Sequence, residues 1–440
     1  MTYRLHAACS TAVLVLGIWL SSGTLAPYAA TIPIPHILEP CHYLANVDHD
    51  HFVSAYRMLN GDPREAWQWS LVLRRVLFPL IAFPLMKFAG FLAGGFIASI
   101  LIHIAAVNAF GVFVRRLLGD QPSVVALWLL ATYPGIAYWA ALPYSYVIIV
   151  PGSLLSLMLL YKLRSATTTR GCLTASILLG VIFTGYDLHP YFAPPAMAML
   201  ALQRRFRHAV LSVAAMLAPT LAVALAFQMA KLSFQNANSD YYFMIIGAWI
   251  RPDDFTLWGG YLRELPATLV SNLFFSNFVV LPVLGIVAGI VARRDIRWSS
   301  PESLLLLTAL LLFLFNNAAP PYVGWQLRGT WVARLYQPIF VTFVMYAARA
   351  TAELRDSRTW KLAVTLAVVM NGAIVAGPVT LNSTATLLYH KFYAHSHPRA
   401  FLDNLKHFGR RPLGFCEQRH LEEGWTPYTH RTRIPKWMFR

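Results

Sequence analysis

Apolar runs separated by short polar stretches dominate the chain. Residues 8–26 (ACSTAVLVLGIWLSSGTLA) form the first run, and about 20 apolar residues suffice for one membrane span. Residues 76–114 follow, then 121–163, which supply two helices broken near Leu142-Pro143-Tyr144. Residues 171–203 supply two shorter helices broken at Gly185-Tyr186-Asp187-Leu188-His189-Pro190. The next runs are 209–231 and 268–292, then 303–319 and 330–349, and a final one covers 362–384. None alternates with the two-residue period of a strand, so the expected fold class is all-α, a polytopic membrane helix bundle.

The polar positions between the runs set the topology. Basic clusters fall at Arg115-Arg116, Lys162/Arg164/Arg170, Arg204-Arg205-Arg207, Arg293-Arg294-Arg297 and Arg349/Arg355/Arg358/Lys361. Lys and Arg accumulate on cytoplasmic loops, so an even number of crossings separates each neighbouring pair. That requirement makes 76–114 one crossing with an interfacial lead-in holding Pro79 and Pro84, although its length would admit two. The sum is about eleven transmembrane helices. Residues 1–389 form the membrane domain, with a first outer loop at 27–75 and a long outer loop at 232–266. The basic tail 390–440 then lies on the outer face. Residues 8–26 have a second reading as a signal peptide, since Ala-Pro-Tyr-Ala-Ala offers small residues near a cleavage site; retention as an anchor is the reading adopted.

Composition supports this architecture. Hydrophobic residues make up 57% of the chain and charged residues 12%, against about 25% charged in a soluble domain. The mean hydropathy is +0.51. The net charge of +17 gives no reason to expect nucleic acid, because in a membrane protein Lys and Arg collect on cytoplasmic loops. There is no fixed-period repeat, no Walker loop, no GxGxxG after a strand and no His/Cys spacing suited to zinc.

The unusual residues gather on the outer loops. From Asp48 to Pro79 the chain carries Asp48, His49, Asp50 and His51. A helical face of Phe52, Ala55, Tyr56 and Leu59 follows, and Asn60-Gly61-Asp62-Pro63 breaks it. Arg74-Arg75 then stand directly before an apolar run. Asp187, His189, Asp240, Asp253-Asp254, Arg263-Glu264, Arg328 and Arg334 also fall on the outer side of this topology. A site there has no supply of ATP or nucleotide sugars, so group transfer would use a lipid-carried donor.

These motifs resemble those of the GT-C glycosyltransferases, membrane enzymes that use polyprenyl-phosphate sugars. The form D-x-x-x-[FY] followed by A-[Y/R]-x-[ML] is matched by Asp48, Phe52, Ala55 and Met58-Leu59. The stretch Arg74-Arg75-Val76-Leu77-Phe78-Pro79-Leu80 is similar to the RR-I-L-Y-P-L lead-in of one bacterial branch. Tyr133-Pro134 and Leu142-Pro143-Tyr144-Ser145 resemble the P…LPYTE turn, with Tyr146 standing where that acidic residue would be. The motifs cover residues 8–165, and the remainder resembles the family by helix count. The resemblance implies an inverting transferase on the outer face of a bacterial plasma (inner) membrane. It would be a hexosyl- or pentosyltransferase, with a polyprenyl-phosphate-linked sugar as donor, a lipid or glycan as acceptor and membrane lipids as surroundings.

Inverting transfer to a hydroxyl needs a carboxylate to take the acceptor proton and cations to stabilise the departing phosphate. Asp48 is the expected base, with neighbouring apolar and aromatic residues to raise its basicity, and Asp50 is the alternative. Arg328 and Arg334 are candidate phosphate ligands, because an arginine at a helix end either snorkels or binds something. Arg74 and Arg75 carry the same reading beside a role in anchoring the lead-in helix. Asp187 and His189 line the cavity or cap the turn. Asp253-Asp254 read as a turn. No cofactor is expected; a divalent cation at His49 and His51 is the weaker option, since contiguous residues rarely converge on one ion. Cys9 and Cys172 fall in helices, leaving Cys41 and Cys416 for a disulfide in an oxidising envelope. The competing class is a polytopic transporter or flippase without catalysis, which would place ionisable residues in mid-helix or tolerate Asp48→Ala.

Overall fold

The structure, a computed structural model, describes residues 2–25, 75–140 and 145–229 apart from Asp187, then 279–294, 297–317 and 336–376, with isolated positions between 266 and 274. Thirteen α-helices and no strand occur among the described residues. They are α1 (Tyr3–Leu25), α2 (Leu77–Ala89), α3 (Phe91–Leu118), α4 (Asp120–Thr132), α5 (Pro134–Ala140), α6 (Ile149–Ser165) and α7 (Thr169–Phe183). The series continues with α8 (His189–Leu202), α9 (Phe206–Met229), α10 (Val280–Val291), α11 (Pro301–Asn317), α12 (Gln337–Glu353) and α13 (Arg358–Ala376).

The stretch expected to hold one crossing behind a lead-in does so. The lead-in is α2, thirteen residues long, and α3 is the crossing, twenty-eight residues long and so about 42 Å at 1.5 Å per residue. Gly90 separates them at φ 87°, a left-handed conformation that a side chain would strain. Gly119, at φ 99°, ends α3 in the same way, its N–H returning to the Arg115 carbonyl at 2.9 Å. The break near Leu142 is longer than the sequence suggests, because Pro134 opens the separate short helix α5 and Ser145–Ile148 form a 3₁₀ turn before α6.

Contacts between helices fix their directions. Arg115 stacks on Tyr3, Phe113 meets Tyr161 edge to face with centroids 5.1 Å apart, and Tyr161 bonds both Glu302 and Arg349. Gln203 reaches the Arg164 carbonyl, and Arg205 reaches Cys172. The basic clusters therefore meet at one end of the bundle, the basic end. At the opposite end, Gly17 packs near Ala137 and Val375, Thr184 bonds Leu77 and Phe313 meets Tyr336. With α2 and α5 set aside, eleven of the described helices alternate between these ends, matching the expected count.

The core runs along α12, in which fourteen residues from Gln337 to Thr351 are buried, against α4, α6, α10 and α11. The outer helices expose apolar side chains instead. On α9, Val210, Leu221 and Leu225 are 57–69% exposed, a face that only lipid would cover. By length and composition alone α1, α3, α9 and α13 can each cross a membrane. The molecule is a multi-pass membrane protein.

Candidate functional site

At the end opposite the basic clusters, three stretches singled out in the sequence come together. Arg75 precedes α2, and the amide of Leu77 donates to the Thr184 carbonyl at 3.3 Å, tying the lead-in to the end of α7. Gly185 packs so closely on the 3₁₀ turn that an added Cβ would lie 2.9 Å from Ile148. Leu188 packs against Gly152 of α6. The Arg-Arg lead-in, the segment after Leu142-Pro143-Tyr144 and the Gly185–Pro190 break thus form one wall.

Arg75 is the charged group of that wall among the described side chains. It is only 6% exposed, and its guanidinium lies over the ring of Tyr186, 4.6 Å from the centroid. The ring face stabilises the buried guanidinium charge. Tyr186 is itself 1% exposed and is a site component that sequence reasoning missed; its place beside Asp187 in the helix break was the only signal. His189 is the first residue of α8, with Pro190 next and Leu188 in the N-cap position.

Further polar groups are buried at the same end. Tyr133 hydrogen-bonds Gln337, and both are nearly inaccessible, as is Asn316 in the last turn of α11. Asn316 and Gln337 flank the stretch 318–335, which carries Arg328 and Arg334. Neither was legible as special, since polar residues at helix ends are ordinary caps and anchors.

Most predicted site residues lie outside the described residues: Asp48, Asp50, Arg74, Asp187, Arg328, Arg334, Cys41 and Cys416. The helices that precede and follow their segments nevertheless end at this one end. It holds Leu25, Arg75, Asn317, Tyr336 and Ala376. Among the described residues no group of three or more His, Cys, Asp or Glu side chains is placed to hold a metal. Cys9 and Cys172 are free thiols.

A second buried polar cluster occupies the basic end. Glu302, fully buried in the first turn of α11, accepts from the Tyr161 hydroxyl at 2.5 Å and pairs with Arg349 at 2.6 Å. The Arg349 Nε–H is not aimed along that contact, so the pair is held by charge, while Arg349 Nη2 donates to the Tyr161 hydroxyl at 2.7 Å. Beside it, Tyr346 and Ser300 both donate to the Ser303 hydroxyl as a separate set of hydrogen bonds. This cluster closes on itself.

No protein-family profile and no curated protein matches the chain. Among solved structures, the crystal structure of ArnT from Cupriavidus metallidurans bound to undecaprenyl phosphate is similar, with a TM-score of 0.53 at 13% sequence identity. The similarity covers 98% of this chain and 75% of that one. The likeness is one of fold: this chain has an all-helical, polytopic, GT-C-like fold.

Proposed function

We propose that the protein is a glycosyltransferase that moves a sugar from a polyprenyl-phosphate donor to an acceptor at the membrane face opposite its basic end. The observation that carries this reading is the similarity, over nearly the whole chain, to a GT-C structure bound to undecaprenyl phosphate. Basic clusters mark the cytoplasmic side, so the site faces outward, into the periplasm of a bacterial cell with the chain in the inner membrane.

In this reading Asp48, with Asp50 as the alternative, removes the acceptor hydroxyl proton as the oxygen attacks the anomeric carbon from the face opposite the phosphate. The C1–O bond breaks, the configuration inverts, and the polyprenyl phosphate leaves with the bonding electron pair. Arg75, seated on Tyr186, together with Arg74, Arg328 and Arg334, stabilises the charge that develops on that phosphate. Asp187 and His189, at the neighbouring helix break, help to shape the sugar pocket.

The test is incubation of the purified protein with polyprenyl-phosphate sugars from a bacterial lipid extract, read by mass spectrometry. Release of polyprenyl phosphate together with a glycosylated acceptor is expected. Sugar-lipid that is bound but never cleaved, with Asp48→Asn indistinguishable from wild type, would instead favour a carrier without catalysis.

A further inference from the structure

A cleft of about 920 Å³ opens at the basic end, between the start of α1 and the α3–α4 turn, lined by Tyr3, Arg4, His6, Arg115, Asp120 and Gln121 among others. It lies across the bundle from the wall around Arg75 and plays no part in the proposed transfer. We propose that it binds the phosphate headgroup of an anionic phospholipid.

Its hydrogen-bonding groups are arranged to donate. Arg115 is oriented by Asp120, with Nε 2.5 Å from Oδ1 and Nη2 3.5 Å from Oδ2, and by the Tyr3 ring 4.4 Å beneath it. Asp120 therefore occupies one edge of the guanidinium, and Nη1 keeps both its N–H donors. Arg4 is exposed and makes no hydrogen bond or ion pair among the described residues. His6 Nδ1 accepts from Trp128 Nε1 at 3.2 Å. That bond places the imidazole proton on Nε2, a third donor. Two arginines against one carboxylate leave the cleft net positive, with geometry suited to an anion having several acceptor oxygens.

The surroundings favour a lipid over a soluble anion. Both α1 and α3 are long and apolar enough to cross a membrane, and the cleft lies where they end, at headgroup depth. Apolar side chains next to its basic residues in the chain are exposed: Leu5 after Arg4 at 48%, and Leu117 two residues beyond Arg115 at 40%. Acyl chains would cover these while the phosphate meets the arginines, the arrangement expected of a basic pocket between transmembrane helices.

The test uses full-length, delipidated protein in neutral detergent, titrated with palmitoyl-oleoyl phosphatidylglycerol or phosphatidylcholine and read by native mass spectrometry. One phosphatidylglycerol should bind more tightly than any phosphatidylcholine. Arg4→Gln/Arg115→Gln should weaken it by roughly 30-fold, and Arg4→Gln alone, which leaves the Arg115–Asp120 pair intact, by roughly 5-fold. Arg204→Gln/Arg207→Gln, from another basic cluster at the same end, should leave it unchanged. Equal weakening in that control would reduce the effect to general surface charge and overturn the proposal. So would unchanged affinity in Arg4→Gln/Arg115→Gln. Displacement of phosphatidylglycerol by equimolar inorganic phosphate would make this a soluble-anion site and overturn the lipid assignment.

Discussion

Among the described residues, buried arginines meet different neighbours at the two ends of the bundle. At the basic end, Glu302 and Arg349 are paired with each other and with Tyr161, and all three have their partners within one closed cluster. At the other end, Arg75 is buried with its guanidinium over the Tyr186 ring, beside the helix ends from which the segments carrying Asp48, Arg328 and Arg334 depart. A carboxylate neutralises a buried arginine, whereas an aromatic face stabilises the cation without cancelling its charge. Burial of charge alone therefore does not mark a functional site.

Mutations can break this contrast. The largest effect is expected from Asp48→Asn: turnover should fall by roughly 10²–10⁴-fold, the usual worth of a general base, with melting temperature and donor binding retained. A dead Asp50→Asn beside an active Asp48→Asn would transfer the role to Asp50. The basic end should respond in the reverse sense. Glu302→Gln leaves Arg349 buried without its counter-charge, a change that costs about 3–5 kcal/mol of stability. It should lower the thermal unfolding midpoint in detergent by several degrees while turnover per folded molecule stays near wild type. A turnover loss matching that of Asp48→Asn at unchanged stability would show that the basic end takes part in catalysis after all.

Smaller effects sharpen the comparison at the phosphate. Arg328→Ala and Arg334→Ala should each weaken donor binding by roughly 10-fold or more, the worth of a charged hydrogen bond. Lys should rescue only in part because it lacks the planar fork. Arg75→Lys should behave likewise, and Tyr186→Leu, which removes only the supporting ring, should lose about 3-fold, near the lower worth of a cation–π contact. Donor titration of the purified variants checks these; unchanged affinity in all of them would leave the arginines as interfacial anchors.

The smallest effect concerns the Cys41–Cys416 bond, which would clamp the tail near Asp48 and contribute a few kcal/mol at most, on the order of other long-loop disulfides. Alkylation before and after reduction, followed by peptide mapping, reads it directly. Labelling of Cys416 in unreduced protein would remove the bond and the clamp with it.

The sequence determined the transmembrane architecture. Apolar runs must cross and basic loops must stay on one side whatever the tertiary contacts, so the crossing count, the lead-in before α3 and the shared side of the basic clusters were all legible. The Gly185–Pro190 break could be read for a similar reason, because glycine and proline act locally on the backbone. What each charge is for was not legible. Arg349 counted in the sequence as one of a solvated cluster, yet its side chain is only 16% exposed and bound to a carboxylate. Glu302 was not singled out in the sequence at all. Their shared partner Tyr161 is separated from them by 141 and 188 positions, a distance that no local pattern spans. The same holds for Arg75 and Tyr186, brought together only when α2 docks against the end of α7. Hydrophobic pattern acts along the chain and can be read there; which side chains a buried arginine meets is decided across it, by packing.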